Sequence, residues 1–347
     1  MNTEKKFGKS IIMEKRRIEY FDTAKFIGMM MIILGHFGVP EINRFVYTFH
    51  IPLFFLISGY FYAPRESTVL LVKNKFRQLI IPYILVMLVV ICIYGIQNWY
   101  KGISLSETGR GIFSYIIGYF YGSGYIDNIM GHKIQTVGPI WFCLALFWGF
   151  LFLNFILKRK HCLFWAVSLF AAGYYSAFYI WLPFSIQSGM TAVLFIYLGY
   201  EAKFFHIMDK IPSIGKILPL LCIWGICIGY GGQFLFVQNY SRFPITDSIA
   251  AIAASYLVLL YSWWLQKNTS AARVMAFLGK YTIVMLCLHS IDVNIMPWND
   301  YYKTPNTDGG IILTKILITL VKFIFPIFGA LAVSRYSFLQ RIFAIKN

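Results

Sequence analysis

Apolar runs of 18 or more residues recur along this chain and constrain its fold more than any motif does. A run of that length with few charges crosses the roughly 30 Å hydrocarbon core of a bilayer as a helix. Charged residues make up only 13% of the 347, about half the share usual in a soluble domain. The expected fold is therefore all-α: a polytopic membrane helix bundle of about ten transmembrane helices. The spans fall at roughly 24–41, 43–63, 78–99, 138–157, 162–182, 184–203, 214–232, 245–266, 277–296 and 311–334. They make one membrane domain over 24–334, between a basic tail at 1–23 and a short tail at 335–347. No small-residue cleavage site follows the first run, which reads as a retained helix and not a signal peptide.

The formal net charge is +17, yet its distribution points to topology and away from nucleic acid. With the N-terminus in the cytoplasm, 23 of the 31 Lys and Arg fall on the cytoplasmic side, 6 in outer loops and 2 inside the last span. An excess near four to one, alternating loop by loop, follows the positive-inside rule and predicts cytoplasmic N- and C-termini. The six cysteines all lie in or beside apolar spans, with no Cys-x-x-Cys, and read as small buried apolar residues.

Two connectors stand out. The outer loop 100–137 is long and holds an aromatic, glycine-punctuated stretch at 111–125 that suits a re-entrant or interfacial helix. The outer loop 297–310 carries aromatics, amides and carboxylates, including Asp300, a composition suited to a sugar or to plain solvation.

Ionisable groups inside spans point to chemistry. His36, His50 and His289 lie in apolar runs, whereas His132, His161 and His206 lie in loops. Lys25 precedes His36 by eleven positions on one apolar segment, roughly 16 Å along a helix. That spacing puts a cation at the membrane surface and an imidazole deep in the bilayer, and it suits a long substrate with an anionic head. Neutral imidazole is a good base near pH 7, so proton transfer is the expected role, with His36 first and His289 second. No His-x-x-x-His pair or cysteine cluster accompanies these histidines, and no metal is expected. Lys73, Lys75 and Arg77 precede the third span and read as topology charges or as a phosphate clamp. Asp22, three residues before Lys25, shares its helical face and either pairs with it or caps the helix.

Five segments in order carry a resemblance. Asp22-x-x-Lys25-x10-His36 resembles the first-helix signature of the acyltransferase-3 family of integral membrane acyltransferases, where Arg-x10-His is usual. Phe49–Tyr60 (FHIPLFFLISGY), Lys75–Tyr83 (KFRQLIIPY), Gly138–Ala145 (GPIWFCLA) and Gly279–His289 (GKYTIVMLCLH) resemble its later motifs. The branch it resembles most is that of bacterial sugar O-acetyltransferases that includes fucose 4-O-acetylase-like proteins. The resemblance implies transfer of an acetyl or similar acyl group from cytoplasmic acetyl-CoA to a hydroxyl of a cell-surface or lipid-linked glycan, in the bacterial cytoplasmic membrane. On it, His36 and His289 are catalytic candidates, and Lys25, Lys73, Lys75, Arg77 and Lys280 would meet the coenzyme. Asp22, His50, Trp141 and Asp300 would meet the substrates, with Trp141 shaping the channel. A cavity open to both faces is then expected. Helices one, three and nine would frame its inner mouth, and the loops 100–137 and 297–310 would cover its outer mouth.

The chain departs from the family pattern in places. Lys25 stands where arginine is usual, and Arg77 has Asn74 three residues before it, with Lys73 and Lys75 as substitutes. Only 13 residues follow the last span, so acceptor recognition is expected from the membrane domain and its loops. The rival reading is a multi-pass transporter, which would use Lys315 and Lys322 in the last span; no inverted repeat supports it. A non-catalytic scaffold is the third.

Overall fold

The computed structural model describes residues 18–64, 67–125, 128–129, 131–208, 212–296 and 309–345. These form a helical bundle, with two ladders of two-residue strands. In chain order the helices are α1 (Glu19–Gly35), α2 (Pro40–Val46), α3 (His50–Tyr60), α4 (Thr68–Lys75) and α5 (Ile81–Tyr100). Then come α6 (Leu105–Tyr121), α7 (Trp141–Ile156), α8 (Cys162–Ser176), α9 (Ile186–Phe204) and α10 (Ile214–Tyr230). The last five are α11 (Pro244–Asn268), α12 (Ala271–Gly279), α13 (Thr282–Ile295), α14 (Gly309–Arg335) and α15 (Ser337–Ile342).

Most of the described residues are helical, as the expected all-α class requires. Four stretches are long and apolar enough to cross a membrane: Thr68–Tyr100, Gly138–Ile156, Pro244–Asn268 and Leu313–Arg335. A fifth arises if α12 and α13, bent by 73° at their junction, form one broken span. Helices α7 and α11 are largely buried, whereas the α4–α5 and α14 spans turn most of their apolar surface outward. Leu88, Val89, Ile96, Leu317, Leu320 and Val321 on those outer helices are exposed, as expected for side chains that face lipid.

Two sequence expectations need correction in detail. The second span is not continuous. The chain turns at Tyr47–Phe49, where the Thr48 hydroxyl donates to the Phe45 carbonyl at 2.7 Å, and α3 restarts at His50. Pro52 falls in the first turn of α3, where its missing N–H costs nothing. The first helix ends at Gly35, so His36 caps it and does not lie inside it.

The long outer loop contains the helix α6, bounded by signals readable in the sequence. Ser104 caps its start, accepting the Glu107 N–H at 3.3 Å while its hydroxyl donates to the Glu107 carboxylate at 3.1 Å. Gly122, at φ 73°, supplies the left-handed residue that closes the far end. Beyond α6, β1 (Asn128–Ile129) pairs antiparallel with β2 (His132–Lys133).

At the centre, α9 packs against α3, α7 and α8, and α1 packs against α3, α11 and α12. A Cβ on Gly59 of α3 would overlap the Ile196 carbonyl of α9, and one on Gly199 of α9 would overlap the Leu56 carbonyl of α3. Reciprocal glycines thus bring two backbones into contact, the way small residues pack helices in lipid. Helix α10 is held at its far end, where Arg44 donates to the Ile228 carbonyl at 2.6 Å and to the Gly229 carbonyl. Between α10 and α11 the chain forms a hairpin, β3 (Phe234–Leu235) with β4 (Tyr240–Ser241). Buried Asp247 anchors it by accepting from the Ser241 hydroxyl at 2.5 Å, the Tyr230 hydroxyl and the Phe243 N–H. Of the six cysteines, all free, Cys143, Cys227 and Cys287 are buried as expected, whereas Cys92 and Cys222 are exposed and Cys162 is half-buried.

Candidate active site

His36 ends α1, and its position follows from the helix end. The Nδ1 of its ring lies 2.8 Å from the Ile32 carbonyl, one turn back. A carbonyl only accepts, so Nδ1 carries the hydrogen and Nε2 keeps its lone pair. His50, at the start of α3, repeats the arrangement: its Nδ1 donates to the Val46 carbonyl at 2.8 Å. Tyr47 links the two segments, donating its hydroxyl to the Gly35 carbonyl at 2.7 Å and packing its ring 5.1 Å from that of His50.

Behind His36 stands His289, carried by α13. The His289 Nε2 is 3.3 Å from the His36 Nδ1, and the rings meet edge to face at 4.9 Å. The one hydrogen on the His36 Nδ1 has the Ile32 carbonyl as its nearer acceptor and the His289 Nε2 as its second, so the His289 proton resides on Nδ1. His289 is fully buried, and its Nδ1 has no hydrogen-bond partner among the described residues. One turn further along α13, Asp292 forms an ion pair with Lys322 of α14 at 3.5 Å.

His36 and His50 line an outer cavity of about 390 Å³ together with Tyr47 and Trp141. Gly124, Tyr125 and Thr136 of the long loop and residues 233–238 of the hairpin form its roof. The long loop was expected there; the hairpin was not. The loop 297–310, with Asp300, lies outside the described residues, except for its last two positions, which begin α14.

A second cavity, of about 540 Å³, shares three lining residues with this one; by the topology expected from the sequence the His36 cavity is called the outer chamber and the second the inner. Lys25 and Lys280 line it with Ser58, Gln78 and Thr282, and the chain end at Phe343–Ile345 forms one wall. Ile32, Phe142 and Leu286 line both cavities and stand between them. Helices α1 and α13 each carry residues of both linings, and Lys25 and His36 mark the two ends of that stretch along α1.

The other predicted residues take distinct places. Asp22 is buried and pairs with Lys25 at 2.5 Å, so it orients the lysine and lines neither cavity. Arg77 donates to the Arg341 carbonyl at 3.3 Å and so touches the C-terminal segment that walls the inner chamber. Lys75 donates to Gln78 at 3.2 Å with its ammonium 3.6 Å from the centre of the Phe150 ring, and Lys73 is exposed. Neither is in the chamber wall. Among the described residues no three His, Cys, Asp or Glu side chains come together in a metal-binding group. A third cavity, about 600 Å³ and almost wholly apolar, lies apart between α3, α9, α10 and α11.

A family model described as an acyltransferase domain matches residues 18–335. The chain belongs to the acyltransferase-3 family. No curated protein and no solved structure matches it. Membership makes it a membrane acyltransferase, with apolar helices suited to multi-pass insertion. An acyltransferase needs a donor site, an acceptor site and a base between them. Of the residues named from sequence, His36 and Trp141 line one cavity and Lys25 the other, beside Tyr47 and the hairpin 233–238, which sequence reasoning did not name, as it did not name Asp292. Asp292 had a signal, since it sits three residues after His289 on one helical face. The hairpin had none.

Proposed function

We propose that the protein is an O-acyltransferase of the bacterial cytoplasmic membrane, with ten spans over 24–334 and both termini in the cytoplasm. It moves an acetyl or similar acyl group from acetyl-CoA to a hydroxyl of a cell-surface or lipid-linked glycan. The observation that carries the reading is His36, whose ring faces a chamber while its Nδ1 is committed to the Ile32 carbonyl. The nitrogen left is Nε2, a lone pair aimed at whatever occupies the chamber.

The coenzyme enters from the cytoplasmic side. Its phosphates meet Lys25 and Lys280 in the inner chamber, and Lys73, Lys75 and Arg77 add positive field around the mouth. Its pantetheine arm passes the neck at Ile32, Phe142 and Leu286, apolar like the arm's own methylenes. The roughly 16 Å rise from Lys25 to His36 sets the reach needed. The glycan hydroxyl occupies the outer chamber against Trp141 and His50, with Asp300 on the loop above. His36 Nε2 removes the hydroxyl proton as the oxygen attacks the thioester carbonyl. The carbon–sulfur bond breaks, and the thiolate leaves with the proton that His36 returns. His289 accepts from the His36 Nδ1–H and steadies the imidazolium while it lasts.

The test is turnover by purified protein in lipid nanodiscs. Acetyl-CoA should be consumed in step with acetylation of cell-surface polysaccharide, and His36→Ala should stop both. Counterflow of a solute without thioester consumption would overturn the reading in favour of a transporter.

A further inference from the structure

The buried charge pair of α13 and α14 has no role in the reaction just described. Lys322 is 3% exposed, on a helix whose neighbouring Val321, Ile324 and Phe325 face outward at 45–50% exposure. The helix therefore turns its cation into the bundle, against the preference of a lysine for the membrane surface. Its partner Asp292 follows His289 by one turn, on the same face of α13. The same stretch of α14 also reaches the other histidine's segment. Phe323 packs edge to face on Phe37 at 5.7 Å, and the Lys322 ammonium lies 5.7 Å from the centre of the Phe37 ring. Phe37 is the residue after His36. One helix thus touches the neighbour of each imidazole. Further along, a Cβ on Gly329 would overlap the Leu288 side chain, so α14 and α13 lie close enough for the pair to form.

We propose that Lys322 and Asp292 are positioning residues for proton transfer: their ion pair ties α14 to α13 and fixes the His289 ring against His36. The inference rests on His36 being the base. Neither charge lines the outer chamber, so neither touches the acceptor. They act through His289, whose one hydrogen-bonded nitrogen is the one that meets His36. If the ring drifts, the His36 imidazolium keeps only the Ile32 carbonyl and loses its second acceptor in the transition state, while donor binding in the inner chamber is untouched.

Removing one charge leaves the other buried and uncompensated, so a single variant confounds folding with catalysis. Removing both together does not, because a buried ion pair replaced by apolar side chains is often tolerated. The decisive variant is K322M/D292L. Expected are a thermal unfolding temperature within a few degrees of wild type, an unchanged KM for acetyl-CoA, and kcat lowered about tenfold or more. The reversed pair K322D/D292K should regain part of that kcat. Wild-type kcat in K322M/D292L would overturn the proposal and leave the pair as a packing device. If K322M/D292L does not fold, K322R takes its place. It keeps the charge but moves it, so lowered kcat at constant KM supports positioning, and unchanged kcat overturns it. His36→Ala, assayed alongside, separates the two readings. Full activity there removes the base itself, whereas an inactive His36→Ala with a fully active K322M/D292L removes only the positioning role.

Discussion

The two chambers that meet at Ile32, Phe142 and Leu286 are built by opposite means. In the outer one, each polar ring is held by backbone. His36 and His50 each donate to the carbonyl four residues back at 2.8 Å, and Tyr47 donates to the carbonyl that ends α1. These bonds fix ring orientation and tautomer, and at His36 the His289 ring adds a side-chain contact. In the inner chamber the charges sit on long, rotatable lysines, and one wall is the chain end at Phe343–Ile345. An ammonium is a point charge and needs no fixed orientation to attract phosphate. A proton transfer needs placement to a fraction of an ångström, whereas the binding of a flexible anionic head does not.

That contrast makes the outer chamber the place where single substitutions do most damage. His36→Ala removes the ring nitrogen proposed to take the acceptor's proton, and transfer should fall by about a hundredfold or more. The KM for acetyl-CoA and the folded fraction in detergent should stay near wild type. Retention of more than about a tenth of activity, equivalent to under 1.4 kcal/mol of barrier, would break the comparison at its strongest point.

The neck sharpens the comparison by testing whether the chambers work as one. Leu286→Trp adds bulk to a side chain that lines both cavities. Coenzyme binding in the inner chamber should persist while transfer drops at least about tenfold, because the arm cannot reach His36. A clean way to see this is to measure coenzyme affinity by calorimetry beside the rate. If both are unchanged, the acyl group does not travel through the neck.

Much of this was legible in the sequence because hydrophobic periodicity and span length dictate where helices form in a bilayer. The helices sit where the apolar runs are, and Ser104, Glu107 and Gly122 announce α6 within the long loop. Lys25 and His36 are readable as a pair because a helix converts their spacing into a length. What was not legible comes from tertiary proximity. Nothing in residues 233–238 marks them as a chamber roof, since their placement depends on Asp247 anchoring the hairpin from the next helix. The contact of His289 with His36 joins residues 253 positions apart. The break at Tyr47–Phe49 had a signal in Pro52, masked by the continuous apolar run around it.

The inner chamber is where losses should be graded. Lys25→Ala and Lys280→Ala each remove a cation from the chamber wall, and each should raise the KM for acetyl-CoA by about tenfold with kcat little changed. Added salt should weaken coenzyme binding in the wild type and less so in the variants. Arg77→Ala removes a hydrogen bond to the Arg341 carbonyl, which loosens the wall at Phe343–Ile345 from a distance. Its KM should rise by about threefold, the size expected when one exposed hydrogen bond is lost. An Arg77→Ala effect larger than that of Lys25→Ala would mean that the guanidinium itself grips phosphate.

The smallest effect is expected at Lys73, and it tests the comparison most finely. By sequence Lys73 belongs with Lys75 and Arg77 in one basic cluster, and a phosphate clamp would use all three. In the fold the three diverge. Lys73 is exposed at the end of α4, the Lys75 ammonium lies over Phe150, and Arg77 reaches the C-terminal segment. An exposed cation outside the wall contributes only a screened field, which the Debye length of roughly 8 Å at physiological salt reduces further. Lys73→Ala should therefore change the KM for acetyl-CoA by less than about twofold at physiological salt and by more at low salt. The salt titration is the informative measurement. A constant effect from low to high salt would mean a direct contact with the coenzyme. The inner chamber would then extend to α4, and its binding would depend on defined contacts as the outer chamber's chemistry does.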